Sequence, residues 1–336
     1  MNRESNARIS VLMPIYNAER FLKTALESIL SQSFSDFEII AINDGSTDAS
    51  GKILASYGDK RLRVINNDGN KGLIYTLNKG IEKANGKYIA RMDADDIALP
   101  NRLAMQVEFL EAHPSIVLLG GHAEMIDEHG VPFMPMTPPL SHQAIINRIF
   151  IGSCFIHPSV MFRTDVVREL GGYRHDALHA EDYDLWLRII QNHQVANLSA
   201  ILIQYRIHPD QVSQRKMRQQ RTSADRSRMQ AFDVFKSAQG HHLNKIDIYN
   251  TPWRRLTGAE PSLGSDHLRW IHRYRMMGRN DLANALIIPG IFSAPLCSSL
   301  YREIFQPIRT TPAYRSLSRR IRWYRKKLYM LISGKN

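Results

Sequence analysis

Tyr88-Ile89-Ala90-Arg91-Met92 is an apolar, strand-like run that stops at Asp93-Ala94-Asp95-Asp96. Three carboxylates in four positions repel one another, so something positive must offset them. Asp93 and Asp95 flank one small residue. In an extended chain their side chains leave the same face and can approach one hard ion through oxygen. That is half of a Mg2+ or Mn2+ site, and such an ion keeps positions open for water and for substrate phosphates. The ligand implied is a diphosphate. Taken alone, the stretch is served at least as well by a helix start, with Asp96 capping a helix near Leu99-Pro100 and the other two lining a wet strand end.

A second acidic pair, Glu181-Asp182, precedes Leu185, Trp186, Ile189 and Ile190, whose spacing makes one apolar helix stripe. The pair then falls in the first turn, where backbone N–H groups favour anions. An ordinary acidic helix start has the same pattern. Arg188 is assigned to the polar face of that helix. His157 lies in Phe155 to Arg163, read as a strand, and a histidine before Pro158 suits packing as well as a site.

The elements that must position these groups follow from periodicity. Ile9 to Met13 is a short apolar strand closed by Pro14, and Asn17 is placed to cap a helix with Phe21, Leu22, Ala25, Leu26, Ile29 and Leu30 on one face. Phe37 to Ile42 is a second strand, ending in Asn43-Asp44-Gly45-Ser46-Thr47-Asp48, a loop and helix start. Arg61 to Ile65 is a third. Asn70-Lys71-Gly72 opens a helix through Asn85, which Gly86 stops. Strands alternating with helices predict a parallel sheet with right-handed crossovers.

Ligands of such sheets sit beyond the carboxyl ends of the strands. The polar clusters all fall there: Pro14-Ile15-Tyr16-Asn17, Asn43 to Ser46, Asn70, and Asp93 to Asp96. Neither Gly-x-Gly-x-x-Gly nor Gly-x-x-x-x-Gly-Lys-Ser/Thr occurs, which argues against a dinucleotide cradle and a P-loop. Further on, Leu103 to His113 reads as a helix, and Ile116 to Leu119 as a buried strand ending at Gly120-Gly121. Asp127 to Ser141 reads as an irregular excursion near the acceptor side, and Ile201 to Gln204 as a strand leading into Tyr205-Arg206-Ile207-His208.

Ile-Ser-Val-Leu-Met-Pro-Ile-Tyr-Asn, Asn-Asp-Gly-Ser-Thr-Asp and Ala-Arg-Met-Asp-Ala-Asp-Asp, in this order and spacing, resemble glycosyltransferase family 2. The resemblance implies an α/β fold of the GT-A kind, a Rossmann-like, mostly parallel sheet, over about residues 8–210. It also implies an inverting transferase using a nucleotide-sugar donor, taken first as a UDP-sugar, with Mg2+ or Mn2+ as cofactor. By the family's pattern Tyr16 and Asp44 hold the base and ribose and Asp93 the ribose or metal; Pro14, Asn17 and Asn70, at the carboxyl ends of their strands, are expected to bind the nucleotide with them. The metal falls to Asp95, with Asp93 and His208. Arg206 or His208 would close on the diphosphate. Asp182 is the general base, and Glu181 orients the acceptor, a saccharide or lipid-linked saccharide. Many members have two aspartates where this chain has Asn43-Asp44, which puts only the first of that pair in question.

The chain has 336 residues and a net charge of +12, unevenly placed: residues 1–200 hold 19 Lys and Arg against 24 Asp and Glu, and residues 201–336 hold 25 against 8. A basic second half of this kind points to a polyanion. Residues 211–336 are read as a basic, mainly helical extension. Arg215 to Arg228 form one basic helix, and Arg315 to Leu331 another, with interleaved aromatics suited to an anionic bilayer surface. Leu282 to Tyr301 lacks charge but contains Pro289 and Pro295, so two short buried or interfacial helices are expected rather than a span. The polar N-terminus and the widely separated Cys154 and Cys297 fit a cytoplasmic protein, peripheral at the inner face of the cell membrane. Two rival readings remain. One is a non-catalytic nucleotide or nucleic-acid binding protein using the basic half, although no nucleic acid is expected as partner. The other is nucleotidyl transfer on the same fold, for which Pro14 to Glu19 lacks a basic cradle.

Overall fold

A computed structural model of the chain describes residues 7–150, 152–208 and 217–238. Every residue of β1 (Ile9–Ile15) is buried, as expected of a central strand covered on both faces. It pairs in parallel with β2 (Phe37–Asn43) on one side and β4 (Tyr88–Arg91) on the other, and β2 pairs in parallel with β3 (Leu62–Asn66). The helices α1 (Leu22–Leu30), α2 (Ser50–Ala55) and α3 (Leu73–Lys83) are the crossovers.

Beyond β4 the direction changes. The path runs β4, β8 (Met161–Arg163), β6 (Ile116–Ile126), β9 (Gln194–Arg206), with β8 antiparallel to both its neighbours and β6 parallel to β9. A two-residue β5 (Ile97–Ala98) closes the far edge against β9, and β7 (Pro132–Met136) hangs from β6. The polar ends of β1 to β4 therefore share one side, and the single long strand β9 carries its last residues back to the loop after β4.

The alternation of side chains sorts the core into two layers. Leu12, Ile40, Ile42 and Ile89 face α3 and the helix α7 (Glu181–Ile189), with Trp186 fully buried among them. Val11, Met13, Ile39 and Ala41 face α1 and α4 (Arg102–Ala112). The remaining α-helices among the described residues are α5 (His142–Ile149), α6 (Thr164–Glu169) and α8 (Met217–Ala238).

Several expectations shift. Phe155 to Arg163 is not one strand: a 3-10 turn at His157–Ser159 precedes the short β8. The stretch after Asp127 is no irregular excursion, because β7 forms a hairpin with β6, and β6 itself runs seven residues beyond Leu119. Asn17 does not cap α1, whose cap position is Phe21 with no side-chain bond; Asn17 has φ +48 and its Oδ1 accepts from Thr47 N at 2.8 Å. Arg188 is buried rather than solvated, donating to Asp184 Oδ2 at 2.8 Å.

The chain divides into two compact units, Met1–Gly240 and His241–Asn336. Of the expected basic surface, Arg226 is exposed, but Arg228 is buried and donates to the Tyr183 hydroxyl at 3.0 Å. The second basic helix, the apolar stretch 282–301 and Cys297 lie outside the described residues. Among the described residues no helix is long and apolar enough to cross a membrane.

Candidate active site

Loops from three strand ends, those of β1, β2 and β3, are laced together. The Ser46 hydroxyl accepts from Asn17 N at 3.0 Å, and the Ser50 hydroxyl accepts from Ala18 N at 2.9 Å. Asp44, 4% exposed, accepts from Asn67 Nδ2 at 2.7 Å and Lys71 N at 2.8 Å on one oxygen, and from Gly72 N at 2.9 Å on the other. Its charge sits at the start of α3, where it complements the helix dipole. Tyr16 and Asn70 are exposed at the mouth of these loops.

The acidic loop after β4 is organised from β9. Arg206, buried, donates its backbone N–H to Asp96 Oδ1 at 2.8 Å and its Nε to the Asp95 carbonyl at 2.8 Å; its Nη1 reaches the Asp127 carbonyl at 3.1 Å. Those bonds brace the loop from behind. Asp96 does not cap a helix. Two residues on, His208 Nε2 lies 2.9 Å from Asp95 Oδ2.

Carboxylate oxygens of Asp93, Asp95 and Asp96 lie within 4.8 Å of one another. Burial, then mutual repulsion, pushes the Asp96 carboxyl well above the ordinary carboxylate range, and burial also raises Asp93. Asp96 Oδ2 is buried and has no hydrogen-bond partner. A crowded set of hard oxygens with one orphan is what a divalent cation would satisfy. His208 Nε2, hydrogen-bonded to Asp95 Oδ2, adds a nitrogen at the edge of that oxygen set. The residues present fit Mg2+ or Mn2+.

The profile of glycosyl transferase family 2 matches residues 10–171. The chain is 39% identical over 192 residues to the putative glycosyltransferase EpsE of Bacillus subtilis, covering 56% of this chain and 68% of that one. It is 38% identical over 212 residues to the amylovoran biosynthesis glycosyltransferase AmsE of Erwinia amylovora, covering 62% and 79%. The chain belongs to glycosyltransferase family 2. Similarity to WbnJ, an O-antigen biosynthesis glycosyltransferase of Escherichia coli, is 35% over 206 residues, covering 60% and 80%.

Among solved structures, S. aureus TarS residues 1–349 in complex with UDP-GlcNAc superposes with a TM-score of 0.54 at 18% identity, over 85% of this chain and 91% of that one. The mannosyltransferase PcManGT of Pyrobaculum calidifontis, in complex with GDP-Man and Mn2+, gives 0.51 at 16% over 87% and 88%. At these identities the likeness is one of fold, and the fold of this glycosyltransferase is the GT-A arrangement.

In this glycosyltransferase the acidic pair of α7 faces the same centre as the acidic loop. Arg91, 3% exposed at the end of β4, ion-pairs with Asp93, and its charge also reaches Asp182, Glu181, His157 and Tyr173. Burial raises Asp182, against backbone N–H groups of its own turn and Arg91, which lower it; Asp93 raises it further. Glu181, 5% exposed with Oε2 unpartnered, is pushed up to about 7 by burial and then by Asp182. His157 Nε2 meets the Tyr173 hydroxyl at 2.9 Å, and burial then Arg91 hold the imidazole well below its ordinary value, so it is a neutral packing partner at the site's floor.

The expected residues thus gather at one side of the sheet, with Pro14 inside β1, paired to Ile42, and Tyr16 and Asn17 just beyond it. Sequence reasoning missed Arg91, Asn67 and Tyr173. Arg91 carries a signal, because a lone arginine in an otherwise apolar strand needs a buried counter-charge. Asn67 and Tyr173 carry none; only the folded loops bring them to Asp44 and His157.

Proposed function

We propose that this glycosyltransferase is an inverting, metal-dependent enzyme that moves a sugar from a nucleoside-diphosphate donor to a saccharide or lipid-linked saccharide in the assembly of a surface polysaccharide. One observation carries the reading: a buried arginine ion-pairs with Asp93 and has Glu181 and Asp182 within its field. Donor and acceptor chemistry can then meet at one carbon. The amylovoran and O-antigen relatives support the polysaccharide setting. The neighbours bound to UDP-GlcNAc and to GDP-Man with Mn2+ support the donor class, with a UDP-sugar first.

Pro14, Tyr16, Asn17, Asp44 and Asn70 line the nucleoside end. Asp95 and His208, with Asp93, would hold Mg2+ or Mn2+, which supplies positive charge to the departing diphosphate. Asp93, shared with Arg91, is also available to the ribose. Asp182 takes the proton of the acceptor hydroxyl as that oxygen bonds to the anomeric carbon and the anomeric carbon–phosphate oxygen bond breaks on the opposite face. Glu181 orients the acceptor. Arg206, spent on carbonyls, acts by holding the acidic loop rather than by gripping phosphate. The catalytic domain over about residues 8–210, the role of 211–336 on an anionic cytoplasmic membrane face and the peripheral location belong to the same proposal. Membership in a transferase family sets the non-catalytic and nucleotidyl-transfer readings aside.

The test is mass spectrometry of products from a panel of UDP-, GDP- and dTDP-sugars with Mn2+ or Mg2+. Asp95→Ala is expected to lose donor hydrolysis and transfer alike. Asp182→Asn is expected to keep donor binding while transfer falls about 10²- to 10⁴-fold. Full activity in either variant overturns its assignment.

A further inference from the structure

The geometry points to Phe21 as a positioning residue that holds His208 in place to share a divalent cation with Asp95. This rests on the metal reading above. Phe21 is the residue before α1, on the loop that also carries Tyr16 and Asn17, and it is 9% exposed. Its ring centroid lies 5.1 Å from that of His208, tilted by 50°. The Arg206 guanidinium sits 4.6 Å from the Phe21 centroid and that of Arg20 4.8 Å away. Arg20 in turn pairs with Glu128 at 2.7 Å, next to the Asp127 carbonyl that Arg206 holds.

One aromatic ring thus touches both residues that reach the acidic loop from the end of β9. Among the described residues the polar contact of His208 is with Asp95, and its imidazole, two residues beyond β9, rotates about two side-chain bonds. Packing its ring against Phe21 restricts that rotation and keeps Nε2 aimed at Asp95. The guanidinium of Arg206 gains from the negative face of the same ring, so the loop brace and the metal ligand share one support. Supports of this kind around a ligand commonly change metal affinity by 10- to 100-fold when removed. A leucine would fill the space but offer neither a flat wall to the imidazole nor a π face to the guanidinium.

The test is Mn2+ binding to the full chain without nucleotide, followed by electron paramagnetic resonance of free Mn2+. Phe21→Leu is expected to weaken binding about tenfold, and Phe21→Tyr to stay within about twofold of the wild type. In a His208→Ala background, Phe21→Leu is expected to cause no further loss, because the support then has nothing to hold. Phe21→Met serves if the leucine variant is unstable to heat. Wild-type affinity in Phe21→Leu, or an equal loss in both backgrounds, overturns the proposal. Failure of the wild type itself to take up Mn2+ would overturn the metal reading, and this inference with it.

Discussion

A guanidinium enclosed by carboxylates decides the character of this site. Arg91 is nearly inaccessible, yet its charge is shared between Asp93 and the pair at the start of α7. A buried cation without such partners would be costly, and buried carboxylates without the cation would hold their protons. Glu181 shows the residual imbalance. Its folded-state value is raised from 4.5 to about 7, so the folded protein binds a proton that the unfolded chain has released. Stability from this group is full below about pH 4.5 and is lost as pH rises through about 7. Glu181→Gln removes the titration. Relative to that variant, the wild type is expected to lose up to about 3 kcal/mol between pH 4.5 and pH 8, read by denaturant unfolding. A difference that stays constant with pH would contradict the burial of a free carboxylate here.

The loops between elements carry the precision. The β2–α2 loop approaches the β3–α3 loop so closely that a Cβ on Gly45 would lie 2.4 Å from the Gly69 carbonyl carbon, and Gly45 has φ +69. Both facts forbid a side chain, since neither backbone can retreat without dragging a strand. Gly45→Ala is expected to cost about 1–3 kcal/mol and to lower the melting temperature by about 3–10 °C. The same change should weaken nucleotide binding, because it parts Asp44 from the amides of Lys71 and Gly72. An unchanged melt would mean that the loops tolerate separation. Midway along α3, Asn78 exchanges two bonds with Tyr173, each 2.8 Å long, while Arg188 Nη2 donates to Gly172 O at 2.6 Å. The loop that holds Asp44 and the segment around Tyr173 are therefore tied to one helix.

On the scale of the molecule, α8 belongs with the catalytic unit. Arg228 packs 5.3 Å over the Tyr183 ring, pairs with Asp225 at 2.7 Å and is as buried as any core residue, while Arg226 Nη1 donates to the Asp176 carbonyl at 3.2 Å. Helix α7, which carries Glu181 and Asp182 in its first turn, is thereby covered on its outer side. A fragment of residues 1–240 is expected to melt at least about 5 °C above a fragment of residues 1–210, which would expose that face. Equal melting would show that α8 contributes nothing to the unit.

How much of this was legible beforehand depends on the range of the interaction. The parallel half of the sheet, its helices, the acidic turn and the α7 stripe follow from patterns within a few residues, and periodicity reads such patterns directly. The candidate residues at the strand ends followed too, because a parallel sheet sends all its carboxyl ends to one side. What the chain could not disclose in one dimension is which distant side chains meet. His208 reaching Asp95 across 113 residues, Phe21 under both His208 and Arg206, and Arg228 turned inward rather than to a membrane all depend on where β9 and α8 close. Local composition sets whether a residue is charged. Only the packed fold decides whether that charge faces water, a carboxylate or a substrate.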